Sequence, residues 1–351
     1  MAGESYRIAL SSDFLKPDGT PSFPKFDLEP LRQPGIELFH LPRGGPEIRA
    51  EDLADVDALI LLGSRFTAAS IPVGDRLALV ARFGVGYDNV DVPACSERGI
   101  AVVITPDGVR RPVAVSILTL MLALTGKLFV KDRLARQGPE GWAQKTHHNG
   151  VGLVGLILGS VGFGNIGREL LRLVKPLDMR FIAADPMADA AQAAEMEVEL
   201  VDLPTLFRTA DIVAVNCFLS EQTRGLVSAE LLGLMKPTAY LINTARGPIV
   251  DQQALTRVLQ GRRIAGAGLD VLEKEPPDAD DPILTLDNVI VTPHALCWAD
   301  QLFAALGSLD AQAALEVRAG RVPVGLVDRG VTDNPAFKAK LERNRERFGK
   351  T

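Results

Sequence analysis

Arg246, Glu275 and His294 are the residues whose types and settings could do chemistry together. Arg246 stands in Asn243-Thr244-Ala245-Arg246-Gly247, directly after an apolar run. Glu275 stands in Glu275-Pro276, shortly after Gly268-Leu269-Asp270-Val271, and His294 closes Thr292-Pro293-His294 after another apolar run. Reduction of a 2-oxo acid sets three tasks: the carboxylate must be held, the carbonyl polarised, and a proton delivered as hydride arrives. Arginine suits the first two because its planar fork pairs bidentately and stays charged. Histidine suits the third because its ordinary pKa is near neutral. A carboxylate beside the histidine orients it and favours its protonated form. All three residues fall at strand ends, on the edge where open α/β sheets place their sites.

A hydride carrier needs a place of its own. Gly162-Phe163-Gly164-Asn165-Ile166-Gly167 fits G-x-G-x-x-G, although about 0.3 such matches would arise by chance in a chain of this composition. Its context adds weight, with an apolar strand leading in and an amphipathic helix leading out. Gly162 would permit the tight turn, Gly164 a close approach of the backbone to a pyrophosphate, and Gly167 close packing of helix on strand. The helix N-terminus then faces the anion. Asp185 follows Gly167 by 18 residues, at the end of the next apolar run. A carboxylate there can accept from the adenosine ribose hydroxyls and would repel a 2′-phosphate, which predicts NAD rather than NADP. The bland alternative is an aspartate opening a turn before Pro186.

The elements that must position these residues are legible in the hydrophobic pattern. Short apolar runs at 6–10, 36–41, 58–62, 77–83 and 100–104 are punctuated by Pro, Gly and Asp, with uneven helical stretches between them. A long helical segment is expected over 111–134, then a polar surface connection over 137–149 with Trp142 anchoring it by burial. Beyond it, strands are expected at 153–161, 180–184, 212–215, 239–243, 264–271 and 289–292. Helices are expected at 166–174, 205–209, 229–235, 252–260 and 299–319. Alternation at this spacing predicts an α/β chain with a doubly wound parallel sheet and right-handed crossovers.

These motifs, taken in order, resemble those of the D-isomer-specific 2-hydroxyacid dehydrogenases, the group of phosphoglycerate dehydrogenase and glyoxylate/hydroxypyruvate reductases. The resemblance runs from about Leu77 to His294. It implies two Rossmann-like or flavodoxin-like domains with parallel sheets and an active site in the interdomain cleft. It divides the chain into a discontinuous substrate-binding domain, 1–105 plus 299–351, and an NAD-binding domain, 106–298. It implies His294 as acid/base, Glu275 as its partner and Arg246 as substrate clamp. Arg65, and Val85 and Gly86 of the Gly84-Val85-Gly86-Tyr87-Asp88 loop, match substrate-binding positions. Asn165, Ile166, Asp185, Thr244, Ala245 and Asp270 match NAD positions beside Gly162, Gly164 and Gly167, with Asp270 expected near the nicotinamide amide. A cytoplasmic homodimer acting on a small 2-hydroxy or 2-oxo acid is implied. An NAD(H)-sensing, corepressor-like protein on the same scaffold is the alternative. The chain departs from the family pattern at Asn216-Cys217-Phe218, at Leu296-Cys297-Trp298 and at Val115-Ser116.

Bulk properties bound the rest. A chain of 351 residues suits two domains. A net charge of −6 disfavours nucleic-acid or anionic-membrane binding. Cys95, Cys217 and Cys297 are widely spaced, which reads as buried free thiols in a reducing compartment. No secretory leader is expected. The apolar stretch 113–124 falls short of the ~20 residues that span a bilayer and is expected to be a buried helix. His147 and His148 lack companions for a metal site, and Cys297 is expected to be an inert thiol. Arg110 and Arg111 read as a surface pair that could also meet a second anionic group. The basic tail 337–351, with Lys338, Lys340, Arg343, Arg345, Arg347 and Lys350, reads as a solvated helix.

Overall fold

The computed structural model describes residues 4–23 and 25–349. The chain divides into two compact units, Met1–Val109 with Trp298–Thr351, and Arg110–Cys297.

In the first unit, β1 (Tyr6–Leu10), β2 (Ile36–His40), β3 (Ala58–Leu61), β4 (Leu79–Arg82) and β5 (Ala101–Ile104) form a parallel sheet of order β2-β1-β3-β4-β5. The inner strands are near-continuous apolar runs because parallel sheets are covered on both faces, and β3 is buried along its whole length. The uneven helical stretches expected between these strands are mostly single 3-10 turns, at Ser12–Phe14, Glu29–Leu31, Ala50–Leu53 and Ala68–Ser70. Proline at 17, 21, 30, 34, 42 and 46 removes the backbone donors that longer helices would need. One crossover is α-helical, Val92–Glu97, where Asp91 caps by accepting from the Ala94 N–H.

The second unit holds a seven-stranded parallel sheet of order β12-β11-β10-β9-β6-β7-β8. Its strands are β6 (Ile157–Val161), β7 (Arg180–Ala184), β8 (Glu199–Leu200), β9 (Ile212–Val215), β10 (Tyr240–Asn243), β11 (Gly266–Leu269) and β12 (Val289–Val291). The strand order reverses between β6 and β9, so the carboxyl ends of those two strands flank a crevice. Helices Leu203–Thr209, Ala229–Leu234 and Gln252–Gln260 start on side-chain caps from Asp202, Ser228 and Asp251. The two-residue edge strand β8 was too short to show a period in the sequence.

Four expectations are corrected, the fourth in the C-terminal tail. The long helix over 111–134 is two helices, Pro106–Thr125 and Leu128–Arg136, because Lys127, after Gly126, is left-handed at φ +53°. The apolar stretch lies in a 20-residue helix that is long and apolar enough by composition to cross a bilayer. Only 56% of its most apolar window is buried in the protein, and Val115 and Leu122 are exposed. Trp142 is exposed rather than buried, with the Lys145 ammonium 5.7 Å from its ring.

The tail is not a solvated helix. Helix Pro335–Phe348 buries Phe337, Lys340, Leu341, Asn344 and Phe348 against the first unit, and the Phe348 ring meets Tyr6 edge-on at 5.4 Å. Lys350 lies outside the described residues. Charge count misled here because the buried face is one stripe of a helix whose other faces carry the basic residues apart from Lys340. Lys340 donates to the carbonyls of Leu77, Arg98 and Gly99 at 2.7–3.0 Å, and burial pulls its pKa down to about 8. Replacing it strands three buried acceptors. Lys340→Met should therefore cost about 3 kcal/mol of stability, whereas the exposed Lys338→Met should stay within about 0.5 kcal/mol. Equal denaturation midpoints for the two variants would contradict this role.

Candidate functional site

The turn that carries His294 is built on one buried carboxylate. Asp270, at the end of β11, is 3% exposed. It accepts from Thr292 Oγ1 at 2.6 Å and from the Ala295 and Leu296 N–H groups at 3.1 Å. His294 between them has φ +52°. That left-handed backbone costs a histidine of order 1 kcal/mol and persists because its neighbours fix it. Asp270 is thus committed to the turn presenting His294, a role the sequence did not disclose beside its expected place near a nicotinamide amide.

Glu275 meets that histidine: its Oε2 lies 2.8 Å from His294 Nδ1, and its Oε1 accepts from the Leu272 N–H at 2.9 Å. Burial pushes the Glu275 carboxyl up. The His294 and Leu272 hydrogen bonds, with the charges of His294 and Arg246, outweigh burial and hold it below the usual glutamate value. Arg246 follows β10 in a turn shaped by buried Asn243, which donates to the Arg246 carbonyl at 3.0 Å and accepts from the Ala245 N–H at 3.0 Å. The Arg246 guanidinium reaches the Ala245 carbonyl at 2.8 Å. Gly247 is required next, since a Cβ there would sit 1.9 Å from the Leu272 carbonyl oxygen. Arg246, Glu275 and His294 therefore converge within the second unit, from β10, the segment after β11 and the segment after β12.

The glycine turn lies at the β6 end of the crevice, leading into helix Asn165–Val174. Gly162 has φ +101°, and Gly167 packs so close that a Cβ would lie 2.8 Å from the Gly162 carbonyl oxygen. Gly164, in contrast, faces open space. The turn is braced from behind: Asn216 donates to Ser160 Oγ at 2.9 Å, which donates to the Gly162 carbonyl at 2.6 Å. Asn216, at the end of β9, and Ser160 were missed as positioning residues because only the sheet brings them together. Asp185 Oδ2 accepts from the Phe163 N–H and Oδ1 from the Met187 N–H, both at 2.8 Å. It is thus both a brace of the turn and a negative charge at the end of β7. Asn165 accepts from Arg168 at 2.7 Å, and Ile166 packs on the core of its sheet. Ala245 packs on the core of the opposite face.

These residues fit a dinucleotide. Gly164 leaves room above backbone N–H groups at a helix N-terminus, where a pyrophosphate is favoured. Thr244 Oγ1 and Asn216 Oδ1 are buried without a hydrogen-bond partner among the described residues, as expected of groups that a ligand completes.

The remaining candidates separate. Arg65 is in the first unit, after β3, 3.8 Å from Glu47 and 60% exposed. Val85 and Gly86 follow β4, in a loop pinned where Thr105 Oγ1 accepts from the Gly84 N–H at 3.1 Å. Arg111 and Arg110 pair with Glu169 at 2.8 and 3.8 Å, and Arg172 joins them at 3.3 Å. Burial first, then Asp270, pushes the Cys297 thiol up to about 11, which keeps it from acting as a thiolate nucleophile. No group of three metal-ligating side chains occurs among the described residues.

Comparison with known proteins points the same way as the geometry. The family model for the D-isomer specific 2-hydroxyacid dehydrogenase NAD binding domain matches residues 118–295. A glyoxylate reductase of Korarchaeum cryptofilum is 36% identical over 285 residues, covering 80% of this chain and 85% of that protein. A D-3-phosphoglycerate dehydrogenase of Methanocaldococcus jannaschii is 36% identical over 280 residues, covering 79% of this chain but 53% of that relative, so the chain spans about half its length. The crystal structure of a 2-hydroxyacid dehydrogenase from Ketogulonicigenium vulgare superposes with a TM-score of 0.78 at 28% identity, covering 93% of this chain and 99% of that one.

The glycine turn offers a clean test of the cofactor cradle. Gly164→Val adds a side chain into open space at an ordinary backbone angle, φ −75°. The melting temperature should stay put while NADH binding, followed by fluorescence titration, weakens at least ~10-fold, because the added side chain keeps the pyrophosphate off the backbone. Gly167→Ala should instead lower the melting temperature. Undiminished NADH affinity in Gly164→Val would place the pyrophosphate elsewhere.

Proposed function

The chain belongs to the D-isomer specific 2-hydroxyacid dehydrogenase family, and on that premise we propose that His294 is its acid/base, Glu275 the partner of that histidine and Arg246 its substrate clamp. It is an NAD-dependent oxidoreductase that interconverts 2-hydroxy and 2-oxo acids by hydride transfer. The comparisons lend no support to a nucleotide-sensing corepressor. Bound NADH supplies the hydride; the protein's residues supply the rest.

The observation that carries the reading is the 2.8 Å contact of His294 Nδ1 with Glu275. With Nδ1 donating to the carboxylate, Nε2 is the nitrogen left to give a proton to the carbonyl oxygen in reduction and to take one from the hydroxyl in oxidation. The Arg246 guanidinium holds the substrate carboxylate and polarises the carbonyl. Val85 and Gly86, with Arg65, remain the candidates for further substrate contacts, in a first unit that serves as the substrate-binding domain. In the NAD-binding unit, Gly162, Gly164, Asn165, Ile166, Gly167, Asp185, Thr244, Ala245 and Asp270 are assigned to the cofactor. The Asp185 carboxylate favours NADH over NADPH. Three free cysteines support a reducing, cytoplasmic setting.

Self-association is the second part of the proposal. Val115, Leu122, Leu128, Phe129, Trp142, Val151 and Val154 are exposed within one 40-residue stretch of the NAD-binding unit. So many large apolar side chains in one region need a cover, and a second copy of the chain is the partner the family resemblance implies. Wild type should sediment as a dimer, and Leu128→Glu with Phe129→Glu should give a monomer. A monomeric wild type at micromolar concentration would dismiss this interface.

NADH oxidation at 340 nm with a panel of 2-oxo acids tests the reaction. His294→Ala should lower kcat at least ~10²-fold; near-full activity would sink the acid/base assignment. Glu275→Gln removes the anion beside the imidazole, so the limb on which reduction declines with rising pH should move to lower pH. The wild-type Glu275 carboxyl, held low, stays ionised until pH falls below its ordinary range near ~4.3. An unmoved alkaline limb in the variant would contradict the pairing.

A further inference from the structure

Helix Asp300–Arg318 packs on β4 within the first unit and buries Leu306, Gly307, Asp310, Ala311, Ala314 and Val317. One member of that otherwise apolar stripe is an acid. Asp310 is 0% exposed, and neither of its carboxylate oxygens has a hydrogen-bond partner among the described residues. Buried carboxyl groups are as a rule paired or hydrogen-bonded, so this one calls for an explanation. Burial pushes its pKa up to about 8, against the opposing pull of the Arg82 charge. At neutral pH the group is therefore mainly un-ionised.

Arg82 is the last residue of β4 and stands two before Gly84, so both fall on one face of the extended chain. Its Nη1 lies 3.4 Å from the point that a Gly84 Cβ would occupy. Gly84 has φ +102° and opens the loop of Val85 and Gly86. Thr105 clamps that glycine, its N–H donating to the Gly84 carbonyl at 2.9 Å. Arg82 thus links the buried acid to the base of the loop. The other charged groups on elements packed against the helix are committed or solvated. Asp27, Glu29, Arg32, Asp107 and Arg345 are exposed, and Lys340 is held by three carbonyls. On the helix itself, Asp300 pairs with Lys25, Glu316 pairs with Arg321, and Arg318 lies over the Phe348 ring. Among the described residues, Arg82 is the one group whose charge acts on Asp310.

We propose that Asp310 is a positioning residue for the loop of Gly84, Val85 and Gly86, acting through Arg82 and switched by its own proton. Un-ionised, it exerts no net pull on the guanidinium, which stays against Gly84. Ionised, it attracts the guanidinium toward the helix, in a setting where water screens little, and the loop loses that support. The loop then holds the acid's carboxylate less well above about pH 8. The proposal rests on the dehydrogenase assignment above, with Val85 and Gly86 as substrate contacts. Asp310 itself touches neither substrate nor cofactor in this scheme.

The test compares wild type with Asp310→Asn, a neutral side chain of nearly the same shape, on both sides of pH 8. The substrate is whichever 2-oxo acid of the panel wild type reduces fastest with NADH. At neutral pH the two proteins should share one KM for the acid. Well above pH 8 the wild-type KM should be at least ~5-fold the higher, the lower end of ordinary coupling between sites, with kcat and NADH affinity alike in both. His294 titrates in both proteins and cancels from the comparison. Thermal unfolding gives a second readout, independent of turnover. An unfolded aspartate ionises near ~3.9, and the folded one holds its proton to about pH 8. Wild type therefore loses stability as pH rises between those values, and Asp310→Asn does not. The melting temperature of the variant should draw ahead over that range and keep its lead above it. Parallel KM profiles, or a melting difference that does not change with pH, overturn the switch and leave the dehydrogenase standing. If Asp310→Asn does not fold, the infrared carbonyl stretch of an un-ionised carboxyl in wild type decides: it should be present at neutral pH and vanish through pH 8, and its absence overturns the proposal. Reduction of none of the acids by a protein that binds NADH overturns the reaction itself, and this proposal with it.

Discussion

The carboxylate of Asp270 is the constraint on which the catalytic constellation depends. It is buried at the end of β11, next to the edge strand, and its hydrogen bonds to Thr292, Ala295 and Leu296 close the turn around His294. A buried charge is tolerated only when it is well partnered, and here the partners are the backbone and hydroxyl groups that frame the acid/base. The left-handed backbone of His294 is held by the same bonds, so removing the acid would release both the turn and the imbalance it stores. Glu275, fixed in turn by the Leu272 N–H, then has one geometry in which to meet the imidazole.

Parallel pairing explains why the remaining parts lie within reach. Strands β6, β9, β10, β11 and β12 run the same way, so their carboxyl ends share one edge. The glycine turn, Asn216, Arg246, Asp270 and His294 all leave the sheet there. Close packing does the fine positioning. Gly167 and Gly247 admit main chain where any Cβ would collide, and Ser160 and Asn216 support the glycine turn from beneath. Asp185 illustrates that a residue can serve two ends, bracing the Phe163 N–H while placing a negative charge at the end of β7.

The first unit uses a different currency. Its last helix is pinned by a lysine whose ammonium satisfies three carbonyls inside the unit. The buried lysine is tolerable because every donor has an acceptor, and it ties the C-terminal helix to the strand edge at Leu77 and the turn at Gly99.

The sequence by itself determined the reaction class, the alternation of strands and helices, and the residue types at the strand ends. These depend on local pattern: a period, a glycine turn, an arginine or a histidine directly after an apolar run. Mainly apolar strands, such as Tyr6–Leu10 and Ile212–Val215, were therefore legible to the residue, whereas the two-residue β8 and the break at Lys127 were not. Tertiary structure alone decided which groups pair across the fold. Asp270 lies 22 residues from Thr292, Asn216 lies 56 from Ser160, and Lys340 lies more than 240 from the carbonyl of Gly99. The exposed face of helix Pro106–Thr125 and the burial of the basic tail were likewise decided there. Such contacts depend on which faces the sheets turn toward each helix, and no window of sequence carries that.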